Sequence, residues 1–155
     1  MATLARLDAF IAAWSERLSA DSAVVRIETS PLDSVPGLHT ACADAFVTGL
    51  GYKPIGANWE LFDAEAAPDE PRSALAALRE AFAQNMVYSS YPWLGEADAL
   101  AMGADFLACF DPASRQIVTN RMYFGWNPIT DATFEWAFVA FDSKAIALLL
   151  ATDED

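Results

Sequence analysis

Carboxylates are the most abundant reactive side chains in this chain, and they follow no known catalytic spacing. The sequence has 22 Asp and Glu residues, two cysteines and one histidine. It contains no G-x-S-x-G elbow, no GxxxxGK[ST] phosphate loop, and no GxGxxG, HExxH or CxxC pattern. A hydrolase with paired carboxylates stays an open alternative, because spacing along the chain does not give distance in space. We therefore expect a protein that is not an enzyme, with no catalytic residue, no metal site and no cofactor.

Glu135 and His39 are the single residues best suited to acid–base chemistry. Glu135 lies between Phe134 and Trp136, and apolar surroundings are common around a catalytic carboxyl. We favour instead a glutamate near a strand end that reaches water. One histidine cannot form a zinc site of two or three imidazoles. We expect His39 to be a partly exposed helix residue, with a general base as the alternative.

The two cysteines and the apolar runs bear on where the protein resides. Cys42 and Cys109 are far apart and each lies in an apolar run, which fits two reduced, buried thiols better than a disulfide framework. Charges interrupt the first twenty residues, so we expect no secretory signal. No run reaches the roughly 18 apolar residues of a membrane span. The sequence predicts a soluble cytoplasmic protein with no membrane partner.

The net charge of −13 is the strongest compositional signal. Such a field repels the phosphates of nucleic acids and attracts basic proteins. We therefore expect no nucleic-acid binding and favour a basic protein as partner. The alternative is that the acids only keep a hydrophobic domain soluble.

The stretch "WELFDAEAAPDEP", residues 59–71, combines acids with aromatics and is called the acidic segment below. Two prolines and five acids predict an irregular surface loop after a short strand at 59–62. Aromatic residues dominate interface hot spots, so a second candidate surface is the aromatic patch in "VYSSYPWLGE". The predicted partner-binding residues are Trp59, Glu60, Phe62, Asp63, Glu65, Asp69, Glu70, Tyr91 and Trp93. The alternative is that Trp59 and Phe62 fill the domain's own core.

The elements that would position these residues indicate one α+β domain over residues 1–155. Helical stripes and caps predict helices at 3–18, within 34–51, at 73–86 and at 96–102. A first strand is predicted at 22–30. From Ala104 the pattern favours strands, in the runs "DFLACFD", "RQIVTN", "TFEWAFVAFD" and "AIALLLAT". The expected fold is α+β, with N-terminal and central helices packed on a C-terminal antiparallel β-meander.

The last two runs are apolar on both faces, which is typical of central strands covered on both sides. One face can take the helices, and the other needs the remaining N-terminal segments or a partner chain. The closing acids, Asp153 to Asp155, are expected to discourage pairing at the edge of the last strand.

In size, charge, acidic segment and apolar C-terminal meander, the chain resembles the small acidic immunity proteins that bacteria make against polymorphic or contact-delivered toxins. The resemblance implies a non-enzymatic protein that neutralises a cognate, basic toxin domain by binding it. It assigns no residue by a motif. The alternative function is a small-molecule-binding protein or enzyme, with an aromatic-lined pocket between sheet and helices formed by Tyr88, Tyr91, Trp93, Tyr123 and Trp126.

Overall fold

A five-stranded antiparallel sheet forms the centre of the fold in the computed structural model, which describes residues 1–34, 36–123 and 125–154. The strand order is β1-β7-β6-β3-β2, and β4 with β5 forms a separate hairpin. The strands are β1 (Val24–Pro31), β2 (Glu60–Phe62), β3 (Gln116–Thr119), β4 (Arg121–Met122), β5 (Gly125–Trp126), β6 (Phe134–Phe141) and β7 (Ala145–Asp153). The predicted α+β class is confirmed.

Four α-helices accompany the sheet within the described ranges: α1 (Thr3–Leu18), α2 (His39–Gly49), α3 (Ala74–Ala83) and α4 (Glu96–Ala108). The predicted apolar stripe of α1 is buried at Leu7, Trp14 and Leu18. Ser73 caps α3, because its side chain accepts the Ala76 N–H. Helices α3 and α4 approach closely at Gly103, where an added Cβ would lie 3.0 Å from the Leu78 Cβ.

The two faces of the sheet carry two separate apolar clusters, as the pattern of the last strands predicted. Phe138 and Leu149 point into the larger cluster, which α1, α3 and α4 complete. Val139 and Leu148 point the other way, against Ala43 and Val47 of α2 and against the indole of Trp59. Both central strands, β6 and β7, are therefore covered on both sides by their own chain.

The structure corrects the prediction that strands begin at Ala104. Residues 105–108 continue α4, which extends well past the expected end at Met102. Ala99, Met102 and Phe106 are buried at helical spacing, and this period overrides the local strand-like composition. Three of the four expected C-terminal strands form, as β3, β6 and β7.

The last strand is not at the edge of the sheet, so the expected role of the closing acids is wrong. β7 lies between β1 and β6. Asp153 is buried and its carboxylate accepts a hydrogen bond from the Ser22 hydroxyl at 2.6 Å. Glu154 accepts a hydrogen bond from the Thr133 hydroxyl, so these two residues fasten the chain end, while Asp155 lies outside the described residues.

Candidate functional site: an acidic cleft beside an exposed hairpin

Strand β2, helix α3 and the β4–β5 hairpin surround an open cleft of about 470 Å³, called the acidic cleft below. Three glutamates from different elements line it: Glu60 of β2, Glu70 of the acidic segment and Glu80 of α3. The other charged or large residues on its walls are Phe62, Arg72, Arg121, Met122 and Tyr123. The lining glutamates outnumber the arginines, so negative charge is in excess.

The acidic segment forms a loop whose two ends are tied together. The Asp63 N–H donates to the Arg72 carbonyl at 2.6 Å, and the Ala74 N–H donates to the Asp63 carbonyl at 2.9 Å. Arg72 closes the loop with a left-handed backbone, at φ 61°. The buried Ser73 hydroxyl also donates to the Ala66 carbonyl at 3.2 Å. The segment therefore presents its acids from a defined loop.

Both arginines of the cleft lie over aromatic rings. The Arg72 guanidinium is 4.8 Å from the Phe62 ring centroid, and that of Arg121 is 4.5 Å from the Trp136 centroid. Arg72 lies 3.4 Å from a Glu60 carboxylate oxygen, and Arg121 lies 3.9 Å from one of Glu80. Burial lowers the pKa of Arg121, and the nearby Glu80 carboxylate opposes that shift.

The hairpin places exposed apolar surface at the mouth of the cleft. Tyr123 is 96% exposed and Met122 is 49% exposed. Covering apolar surface of this kind lowers the free energy, because it removes that surface from water. Arg121 anchors the base of the hairpin by donating to the Ala77 carbonyl of α3 at 3.3 Å. Exposed apolar side chains and carboxylates therefore lie side by side at the mouth of the cleft.

Three of the predicted partner-binding residues line the cleft: Glu60, Phe62 and Glu70. Asp63, Glu65 and Asp69 are exposed but lie outside its lining. Glu65 pairs with the largely buried Arg115 at 2.7 Å, and this carboxylate is thus already engaged within the chain.

The prediction of Trp59 as a surface anchor is corrected by its burial. Its side chain is 3% exposed in the cluster on the α2 face of the sheet. The indole N–H donates to the Asp44 carboxylate at 2.8 Å, and the same carboxylate accepts the N–H groups of Ile55 and Gly56. The alternative, that Trp59 fills the core, is the one the structure supports.

The second predicted surface, the aromatic patch, is split between core and solvent. Tyr91 is 65% exposed. Trp93 is half-buried: its indole N–H donates to the Leu18 carbonyl at 3.0 Å and its ring lies 5.1 Å from that of Phe82. Neither residue lines the acidic cleft. Of the five aromatics that the alternative function places in one pocket, Tyr123 lines the cleft and the other four do not. Trp126 packs instead against Trp136.

Glu135 does not reach water, which corrects the expectation for it. Its side chain is fully buried, although it stands one residue from the start of β6. The carboxylate accepts hydrogen bonds from the Asn120 side chain, from the Ile129 N–H at 2.8 Å and from the N–H and hydroxyl of Thr130. These donors satisfy both oxygens and fix the segment between β5 and β6, which is a structural role.

Other groups with catalytic potential are poorly placed for chemistry. His39 is half-buried as the first residue of α2 and does not line the cleft, in agreement with the expected helix position. Burial raises the pKa of the Cys109 thiol to about 11, so it is protonated at neutral pH. Cys42 is half-buried, and burial raises the pKa of its thiol as well. Among the residues that the structure describes, no group of three or more His, Cys, Asp or Glu is arranged to hold a metal ion.

Sequence reasoning missed Glu80, Arg72 and Arg121 as members of the site. Glu80 was on the predicted third helix, and nothing in the sequence aligned that helix with the acidic segment. The signal for Arg121 was a short hairpin between two predicted strands, in "NRMYFGWN".

Comparison of the chain with protein-family models, with curated proteins and with solved structures gave no match. No helix in the described parts of the chain is long and apolar enough to cross a membrane.

Proposed function

We propose that this protein is a non-enzymatic binder that neutralises a basic protein, a cognate toxin domain, by docking it at the acidic cleft. The observation that carries the proposal is the cleft itself, where Glu60, Glu70 and Glu80 converge beside the exposed Tyr123 and Met122. The proposal agrees with the resemblance of the sequence to small acidic immunity proteins. The protein then acts in the cytoplasm, where its free cysteines stay reduced.

Charge and apolar area have separate tasks in this proposal. The net charge of −13 speeds the encounter with a basic surface and makes the association rate sensitive to salt. Tyr123 supplies the anchor, since tyrosines that become desolvated at the centre of an interface carry much of the binding free energy. A lysine or arginine of the partner enters the cleft between the glutamates.

The test uses the protein encoded by the gene immediately beside this one, in binding kinetics and in a growth-protection assay. The variant Glu60→Gln/Glu70→Gln/Glu80→Gln should slow association and reduce its salt dependence. Tyr123→Ala should instead speed dissociation, at a cost of about 2 kcal/mol of binding free energy.

A matched control removes three exposed acids elsewhere, in Asp8→Asn/Glu16→Gln/Asp33→Asn. It has the same net charge as the cleft variant and should protect and bind nearly as the parent does. If the two triple variants behave alike, only net charge matters, and the cleft is not the docking site.

A second candidate, binding of a small molecule, is favoured by the volume of the cleft. About 470 Å³ lies within the roughly 300–1,000 Å³ of small-ligand sites. Ligand screening by thermal shift separates the two functions. A small molecule that raises the Tm of the parent, and fails to do so for Tyr123→Ala, would favour this candidate over protein binding.

A further inference from the structure

The sheet has two edges, and they differ in length and in cover. Strand β2, at one edge, has three residues and belongs to the wall of the acidic cleft. Strand β1, at the other edge, has eight residues and, within the described ranges, pairs only with β7. A long edge strand is a template for pairing with another chain, unless it is guarded.

The hydrogen-bond pattern shows which residues of β1 direct their backbone N–H and C=O groups toward the open edge of the sheet. The Leu32 N–H, one residue past β1, donates to the Lys144 carbonyl at 2.8 Å. Alternation then directs the backbone groups of the even-numbered residues of β1 toward β7, and those of Val25, Ile27 and Thr29 toward the open edge.

Strand β7 gives the same assignment independently. The Asp142 N–H donates to the Ala145 carbonyl at 3.0 Å. The backbone groups of the odd-numbered residues of β7 therefore point toward β6, and those of the even-numbered residues point toward β1. Pro31, which has no N–H, lies at an outward position of β1, where a proline breaks no bond to β7.

The side chains of β1 carry a self-complementary charge pattern. Arg26 is exposed and Glu28 is half-buried, they flank Ile27, and neither makes an ion pair within the described residues. When two copies of β1 pair antiparallel about a two-fold axis at Ile27, each Arg26 lies opposite Glu28 of the other copy. A shift of the register in one direction would place Arg26 against Arg26, and in the other Glu28 against Glu28, which is unfavourable.

We propose that a second copy of this chain docks on the outer edge of β1, joining the two five-stranded sheets into one through an antiparallel β1–β1 pair centred on Ile27. In this register Ile27 faces Ile27, and Val25 faces Thr29, so each facing pair exchanges both backbone hydrogen bonds. Arg26 and Glu28 then occupy non-hydrogen-bonded positions, where facing side chains come closest. The proposal is independent of the acidic cleft, which lies at the opposite edge of the sheet.

Sedimentation equilibrium over a range of protein concentrations tests the proposal by charge reversal. Arg26→Glu and Glu28→Arg each place like charges opposite one another twice, so each should raise the dimer dissociation constant by roughly tenfold. The double variant Arg26→Glu/Glu28→Arg restores both pairs and should return the constant to within about threefold of the parent.

Net charge gives the opposite expectation for one variant, which makes the test decisive. Glu28→Arg lowers the net negative charge, so mere relief of repulsion between two acidic molecules would strengthen the dimer instead of weakening it. Arg79→Glu is the matched control: Arg79 lies on α3, away from β1, and its reversal should leave the dissociation constant within about twofold. Circular dichroism checks that each variant is folded.

Amide hydrogen exchange gives a second readout on the unaltered protein. The N–H groups of Val25, Ile27 and Thr29 should exchange at least tenfold more slowly at a concentration where the dimer forms than where it dissociates, because only the dimer gives them partners. The N–H groups of Arg26 and Glu28 already bond to β7 and should change less. A chain that stays monomeric at all concentrations, a dimer strengthened by Glu28→Arg, or outward amides that gain no protection would each overturn the proposal.

Discussion

The carboxylate of Glu135 and those of the acidic cleft belong to the same residue type and have opposite surroundings. Glu135 is fully buried, and backbone and side-chain donors from Asn120, Ile129 and Thr130 surround it. Glu70 and Glu80 are exposed: the Ala67 N–H donates to the Glu70 carboxylate at 3.0 Å, and Arg121 lies 3.9 Å from that of Glu80. Burial and the number of hydrogen-bond donors that the fold supplies, and not the residue type, therefore separate acids that hold the structure from acids that stay accessible to a partner.

The largest effect on stability that this comparison predicts is that of Glu135→Ala. Removing the carboxylate takes the acceptor from the buried Ile129 N–H and from the half-buried Thr130 N–H, and it leaves the buried Asn120 side-chain amide with the Asn127 carbonyl as its acceptor. We expect the free energy of unfolding to fall by about 3 to 5 kcal/mol, measured by urea denaturation. Asp69→Ala, at an exposed acid, is the control and should stay within about 0.5 kcal/mol of the parent. Equal losses in the two variants would remove the distinction between the two classes of acids.

Asp142 is a second buried carboxylate, and we expect a smaller effect from Asp142→Asn. Its oxygens accept hydrogen bonds from the Thr3 hydroxyl at 2.7 Å and from the N–H groups of Asp111, Lys144 and Ala145. An amide of the same shape can accept some of these bonds but presents its own donors to the others. Urea denaturation at pH 7 should show a loss of about 1 to 3 kcal/mol. A variant as stable as the parent would show that these hydrogen bonds do not need the charge.

The lowered pKa of Asp142 predicts how the free energy of unfolding changes with pH. Burial alone would raise the pKa of Asp142, but the hydrogen bonds from Asp111, Thr3, Lys144 and Ala145 outweigh it and hold the pKa below the usual 3.8. The stabilisation is therefore fully present above pH 3.8 and is lost as the pH falls through the lower folded-state value. Urea midpoints measured between about pH 6 and pH 2 should converge for the parent and Asp142→Asn at the acid end. A constant difference over that range would contradict this assignment.

The fold was largely predictable from the sequence because the periods of its apolar residues are strong. The alternating pattern of β6 placed Phe138 and Val139 on opposite faces, where the structure has them. Around Phe106 the sequence predicts a strand where the structure has helix α4, since a short apolar run fits either period. Tertiary packing of α4 against α1, including the bond from the Trp14 indole to Asp105 at 2.8 Å, decides that segment.

The candidate site was only partly predictable, because it joins elements that are distant in the chain. Glu60 and Glu70 both belong to the acidic segment, whereas Glu80 and Tyr123 come from a helix and a hairpin that the fold brings beside it. The burial of Trp59 and Glu135 depends on Asp44 and Asn120 as hydrogen-bond partners. No local pattern in the sequence shows such partners, since each lies 15 residues away along the chain.

The smallest effect on stability is expected for the variant Glu60→Gln/Glu70→Gln/Glu80→Gln. The ion pairs that it removes, at 3.4 Å and 3.9 Å, join glutamates whose side chains are 46% and 74% exposed, and such pairs contribute about 0 to 1 kcal/mol each. Removing three negative charges from a chain of −13 also relieves self-repulsion, which offsets part of that loss. The free energy of unfolding should therefore change by no more than about 1 kcal/mol, and the change should shrink further in about 1 M salt, because screening weakens both terms. A loss of more than about 2 kcal/mol in urea denaturation would mean that the cleft acids, like Glu135, support the fold, and that a weaker binding of the partner by this variant could not be assigned to the interface.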